Sequence, residues 1–228
     1  MKLSSINFDS PFELSPDRVQ VLVVEQPGMF YGLAKEFFQQ TCGEPGSFVL
    51  SDNSEMLNIP RNLLFIYDYL LLDNNERKHI SYLYKQLQQI TEENFADEFN
   101  DIRQKTAELF CKLNGTGDFE IDYNEDAGLS EILKAYGVSF RQNEDKLLEN
   151  LLDYIGVSAM VQPVRCVVLL NVKSFLTKSE LLMFYREMQL EEISLFLIEN
   201  CEREALPMEN IRIIDKDLCE IVVQNKKV

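Results

Sequence analysis

Four stretches of this chain are apolar at nearly every position, and they limit its fold more than anything else in it. They are Val19-Gln20-Val21-Leu22-Val23-Val24, Leu63-Leu64-Phe65-Ile66-Tyr67, Cys166-Val167-Val168-Leu169-Leu170 and Ile193-Ser194-Leu195-Phe196-Leu197-Ile198. A strand with one wet face alternates apolar and polar residues. The runs at Leu63–Tyr67 and Cys166–Leu170 read as buried strands, the first on both faces, as in a parallel sheet covered by helices. Amphipathic segments lie between the runs: Met29 to Gln40, with Phe30, Leu33, Ala34, Phe37 and Phe38 on one face, and Lys178 to Met188. Strands alternating with helices predict an α/β fold with a largely parallel sheet. Shorter strands are expected at 3–8, Phe48–Leu50, Ile211–Ile214 and Cys219–Val223, with a turn at Ser15-Pro16-Asp17.

One block breaks the alternation. From Asn74 to Asp153 the apolar period is helical, marked by Ile80, Leu83, Tyr84 and Leu87, then by Phe95, Phe99, Ile102 and Leu109. Asn114-Gly115-Thr116-Gly117 stops the second helix. An acidic stretch, a helix at Leu129–Tyr136, an extended Val138–Arg141 and a helix at Lys146–Ile155 follow. The expected organisation is a head of residues 1–73 and 154–228, with 74–153 as an inserted helical leg.

Composition removes several chemistries. The five cysteines are scattered and form no CxxC pair, which fits reduced thiols in a cytoplasmic protein and excludes a cysteine zinc site. The single histidine, His79, excludes multi-histidine metal sites and reads as structural. No signal-peptide pattern opens the sequence, and no apolar run approaches the about 18 residues that span a bilayer. The formal charge is −16, and residues 90–153 carry sixteen Asp and Glu against six Lys and Arg. On charge alone, nucleic acid is a poor partner.

The βα turn after Val24 is where a phosphate-binding loop would sit. It reads Glu25-Gln26-Pro27-Gly28-Met29-Phe30, without the lysine and hydroxyl of a Walker loop, and Glu25 would repel phosphate. Asn171 ends the strand at 166–171, where a magnesium-holding acid would be needed. No Gly-x-Ser-x-Gly elbow or Ser–His pairing offers a nucleophile. The chain is therefore not expected to be an enzyme.

The remaining chemistry is acidic. Six carboxylates fall between Asp118 and Glu131, and such a cluster repels itself unless a cation or solvent screens it. Calcium takes roughly six to eight oxygen ligands in a flexible arrangement. Asp122, Asn124, Glu125, Asp126 and Glu131 offer such oxygens, though not in EF-hand spacing. The same acids equally suit the solvated start of a helix, whose dipole favours them.

The run Asp122-Tyr123-Asn124-Glu125, continued by Glu131-Ile132-Leu133-Lys134-Ala135-Tyr136-Gly137-Val138, resembles the acidic segment of the ring-forming accessory proteins of type II-A CRISPR systems, which take part in spacer acquisition. Ile6-Asn7-Phe8 with Pro11-Phe12-Glu13-Leu14, Val167–Asn171 with Phe175-Leu176-Thr177-Lys178-Ser179-Glu180, and Leu195–Glu199 with Ile214-Asp215-Lys216-Asp217 agree in order and spacing. The resemblance implies a P-loop-ATPase-like α/β head lacking Walker motifs, an inserted α-helical leg and calcium near their junction. It implies a homotetramer that threads the ends of double-stranded DNA without sequence preference, beside the CRISPR adaptation integrase and effector nuclease and away from membranes. Arg103, Lys105, Lys112, Lys134, Arg141, Lys173 and Lys178 would then line the ring. The alternative is an NTPase-derived protein–protein adaptor that binds no DNA.

Overall fold

The computed structural model describes residues 1–116, 120–142 and 146–223. In chain order the first elements are β1 (Lys2–Ser4), β2 (Phe12–Glu13), β3 (Val19–Val24), α1 (Pro27–Thr41), β4 (Val49–Asp52), β5 (Glu55–Leu57), α2 (Ile59–Asn62) and β6 (Leu63–Ile66). Helices α3 (Arg77–Asn94), α4 (Ala96–Asn114), α5 (Leu129–Ala135) and α6 (Leu147–Val161) follow. The last elements are β7 (Cys166–Leu170), a 3-10 turn (Val172–Ser174), α7 (Lys178–Leu190), β8 (Ser194–Glu199), β9 (Glu209–Ile214) and β10 (Glu220–Val223). Two compact units result: Met1–Asp73 with Asn143–Val228, and Asn74–Gln142.

The uniform apolar runs form the six-stranded sheet of the larger unit, in the order β10-β9-β3-β8-β7-β6. All neighbours are parallel except β10, which runs antiparallel to β9. Val21 sits opposite both Leu197 and Ile211, so β3 is central and every residue of it is buried. Val19, Val21 and Val23 enter one core with Val167, Leu195 and Ile211, covered by Leu151 and Ile155 of α6 and Phe184 of α7. Leu22 and Val24 enter the other with Val168 and Phe196, covered by Leu33 and Phe37 of α1 and by a small antiparallel sheet, β2-β1-β4-β5. Each such fully buried side chain contributes about 1.5–3 kcal/mol, which is why both faces of the sheet must be covered.

Two expectations change. The first strand covers only Lys2–Ser4, not 3–8, because the backbone turns where Phe8 N donates to Ser5 O at 3.2 Å. The helical insertion ends at Gln142, not at 153. Helix α6 belongs to the larger unit because Leu148, Leu151, Tyr154 and Ile155 are buried in its core.

In the smaller unit, α3 packs against α4 and α5. Gly137, at φ +61°, ends α5 in the left-handed region, and Val138 N reaches back to Leu133 O at 2.9 Å. The extended segment that follows is held by the Asn75 amide, which donates to Phe140 O at 3.1 Å and accepts from Phe140 N at 2.8 Å. His79 is fully buried in α3. The acidic run is not a strand: Glu120–Asn124 pair with nothing in a ladder, and Asp118 and Phe119 lie outside the described residues. No helix among the described residues is long and apolar enough to cross a membrane.

Candidate functional site

Helix α4 sets one cation against the acidic cluster. Arg103 Nη2 donates to Glu125 O at 2.9 Å and stands 3.7 Å from Asp126 Oδ1. Asn114 Oδ1 accepts from Ile121 N at 2.9 Å, and Phe110 meets Tyr123 edge-on with centroids 4.8 Å apart. These three contacts lay the loop along α4 and enclose an open cavity of about 330 Å³, lined by Asn100, Arg103, Gln104, Ala107, Tyr123 and Glu125.

Two of the five expected calcium ligands, Asn124 and Glu131, already hold hydrogen bonds within the loop. Asn124 Oδ1 accepts from Asp126 N at 3.1 Å, an Asx turn that occupies the amide oxygen. Glu131 Oε2 accepts from Gly128 N and from Ser130 Oγ, each at 3.0 Å, so this carboxylate caps its own helix. The Ser130 hydroxyl, then backbone N–H groups, hold Glu131 below the usual carboxylate range. Among the described residues no three Asp, Glu, His or Cys side chains gather as a metal-ligating group. The donor chemistry of Asp122, Glu125 and Asp126 still suits a hard cation, being exposed and all oxygen, and the Arg103 guanidinium stands in for one.

Of the seven expected DNA contacts, Arg103, Lys105, Lys112, Lys134, Arg141 and Lys178 are exposed. Lys134 lies 3.9 Å from Glu131, and Lys178 pairs with Glu204. Lys173 is a correction. Its side chain is 4% exposed and its Nζ sits 2.7 Å from Glu209 Oε2, so it cannot reach a phosphate. Asn171, at φ +56°, turns the chain inward after β7 and sends Val172 and Lys173 into the core. Glu209 also accepts from Tyr185 OH at 2.7 Å and Leu206 N at 2.9 Å. Glu199, at the end of β8, accepts from Lys173 N at 3.1 Å. This buried ionic group was missed; the signal was a lysine directly after the core residue Val172, and an acid directly after the apolar run Leu195–Ile198.

The βα turn after β3 lines a cavity of about 480 Å³ with Asn7, Asp9, Gln26, Met29, Leu218 and Glu220 among its walls. The Gln26 side chain accepts from Met29 N and so caps α1 where a phosphate would bind. Two walls are carboxylates, and Glu220 is held by Arg212 at 3.0 Å. Among the described residues this lining includes no lysine or arginine that would meet a phosphate.

A family model described as CRISPR-associated protein (Cas_Csn2) matches residues 40–218. The CRISPR-associated protein Csn2 of Streptococcus agalactiae is 24% identical over 219 residues, covering 93% of this chain and 95% of that one. Among solved structures, the ATP-binding cassette MJ1267 of an ABC transporter, in its ADP conformation, overlaps 90% of this chain and 79% of its own at 10% identity and a TM-score of 0.44. The family match runs from the last turn of α1 to the turn before β10 and takes in both units, so the chain belongs to the Cas_Csn2 family of CRISPR-associated proteins.

Proposed function

We propose that the chain serves the adaptation step of type II-A CRISPR immunity as a non-enzymatic ring of four copies. The ring holds ends of linear double-stranded DNA in the cytoplasm, without reading their sequence, beside the adaptation integrase and the effector nuclease. Family membership over residues 40–218 carries the reading. The capped, acid-walled turn after β3 supports a role without nucleotide hydrolysis. A chain of charge −16 meets DNA only where bases are gathered locally. Lys105, Lys112, Lys134 and Arg141 are exposed in the smaller unit, and fourfold repetition of such residues makes a positive lining.

Calcium belongs to this proposal. Asp122, Glu125 and Asp126 would hold the ion in place of Arg103, and it would cancel their charge and order the loop. The test is a gel shift of linear and closed circular duplexes of equal length, with calcium and with chelator. Retention of the linear form alone, in calcium, and lost as salt rises, is expected. Equal retention of both forms would refute threading, and an intact assembly that retains neither would favour the adaptor.

A further inference from the structure

Helices α6 and α7 pack side by side on one face of the six-stranded sheet, and a groove of about 430 Å³ opens between them. Leu152, Gly156, Ala159 and Met160 form its α6 wall, at positions i, i+4, i+7 and i+8 of one helix face. Ile155, Met188 and Ile193 reach it from the core. Gly156 is what opens the groove: a Cβ there would meet no heavy atom within 4 Å. It lies inside α6 with a negative φ, so no turn requires it, and glycine weakens a helix interior. Apolar surface continues past the rim, with Met160 60% and Leu190 76% exposed.

The α7 side of this groove is acidic. Glu187 and Glu191 line it, both exposed, and like charges four residues apart on a helix repel. Glu192 follows them at the end of α7, where the helix dipole favours cations, yet the last turn holds no base. Among the described residues no lysine or arginine lines the groove, and neither Glu187 nor Glu191 has an ion-pair partner. An apolar floor beside two uncompensated carboxylates is complementary to a surface that is apolar along its middle and basic along its edge.

We infer that the groove seats a basic amphipathic helix of a different protein. Small residues at 156 and 159 let a third helix approach closely between α6 and α7. Leu152 to Met160 spans about 12 Å of α6, two turns, which takes side-chain anchors at i, i+3 or i+4, and i+7. An extended segment would find no ladder to join, because β8, which follows Ile193, is already paired with β3 and β7. Met160 and Met188 adapt their shape to the anchors that enter. The glutamate rim repels nucleic acid, and a chain of charge −16 is a poor source of the basic helix. The groove lies wholly within the larger unit and needs no second copy to complete it.

The test is fluorescence anisotropy of a labelled peptide of about eighteen residues, with leucine at i, i+3, i+4 and i+7 and lysine elsewhere, titrated with the full chain. A peptide of the same composition in scrambled order should bind at least about tenfold more weakly. Gly156→Leu fills the groove and should cost the ordered peptide about tenfold or more in affinity, with circular dichroism and the mass by light scattering unchanged. Met160→Glu, at an exposed position, should do the same and decides the matter if Gly156→Leu alters the fold. Glu187→Lys with Glu191→Lys should transfer the preference to a peptide that carries glutamate in place of lysine. Equal binding of ordered and scrambled peptides, or full affinity in folded Gly156→Leu and Met160→Glu, overturns the groove as a docking site. A double lysine variant that still prefers the lysine peptide overturns the basic partner. A lower mass in folded Gly156→Leu would give the groove to a second copy, and the proposal would fall.

Discussion

Replacing Glu199 by glutamine should stabilise the protein at neutral pH and do far less near pH 5. The Glu199 side chain is 1% exposed. Its Oε1 accepts from Lys173 N at 3.1 Å, but Oε2 is buried without a hydrogen bond, and Arg203 Nε lies 3.8 Å away, beyond hydrogen-bonding distance. Burial, opposed only in part by the Lys173 N–H and by the Lys173 and Arg203 charges, pushes the carboxyl from an ordinary 4.5 up to about 7. A folded-state value above the unfolded one means that the folded chain binds the extra proton. Stability is therefore full below the unfolded value and is lost as pH rises through the folded one. At about 1.4 kcal/mol per unit, the loss between roughly pH 4.5 and 7 reaches about 3 kcal/mol.

Glutamine keeps the acceptor for Lys173 N and removes the charge. It also gives up the half-exposed Arg203 pair, worth about 0–1 kcal/mol. The expected gain at pH 8 is thus about 2–3 kcal/mol, shrinking to about 1 kcal/mol or less at pH 5. The chain has no tryptophan, so urea unfolding should be followed by circular dichroism from pH 5 to 8.5 in both proteins. A difference that does not change with pH, or a glutamine variant less stable at pH 8, would refute the reasoning. Carboxylates held low, such as Glu131 and Glu180, act in the opposite window and lose their contribution as pH falls below their ordinary values.

Lys173→Met should take the ammonium partner from the buried Glu209, costing about 3–5 kcal/mol in urea unfolding, while folded protein retains DNA as before. Weaker DNA retention at unchanged stability would return Lys173 to the surface. Thr177→Ala should cost about 1 kcal/mol, because Thr177 Oγ1 accepts from Glu180 N at the start of α7 and the Glu180 carboxylate bonds back to Thr177 N at 2.8 Å. It should also let the Glu180 titration, followed by NMR, move up toward its ordinary value, since the Thr177 hydroxyl is the main cause of its depression.

What sequence reveals here follows from how local each cause is. A run such as Val19–Val24 has no polar face, so its burial on both sides is legible in the run itself. The small sheet is harder, because β2 has two residues and β5 three, and partners far along the chain define both. The apolar face of α6 is plain in Leu148, Leu151 and Ile155, but periodicity does not say which core that face enters. Lys173 looked like a surface cation because lysine is almost never buried unpaired. Its partner Glu209 lies thirty-six residues away, at the start of a strand. The acidic run likewise invited an external ion, while an arginine one helix earlier in the chain satisfies part of the need.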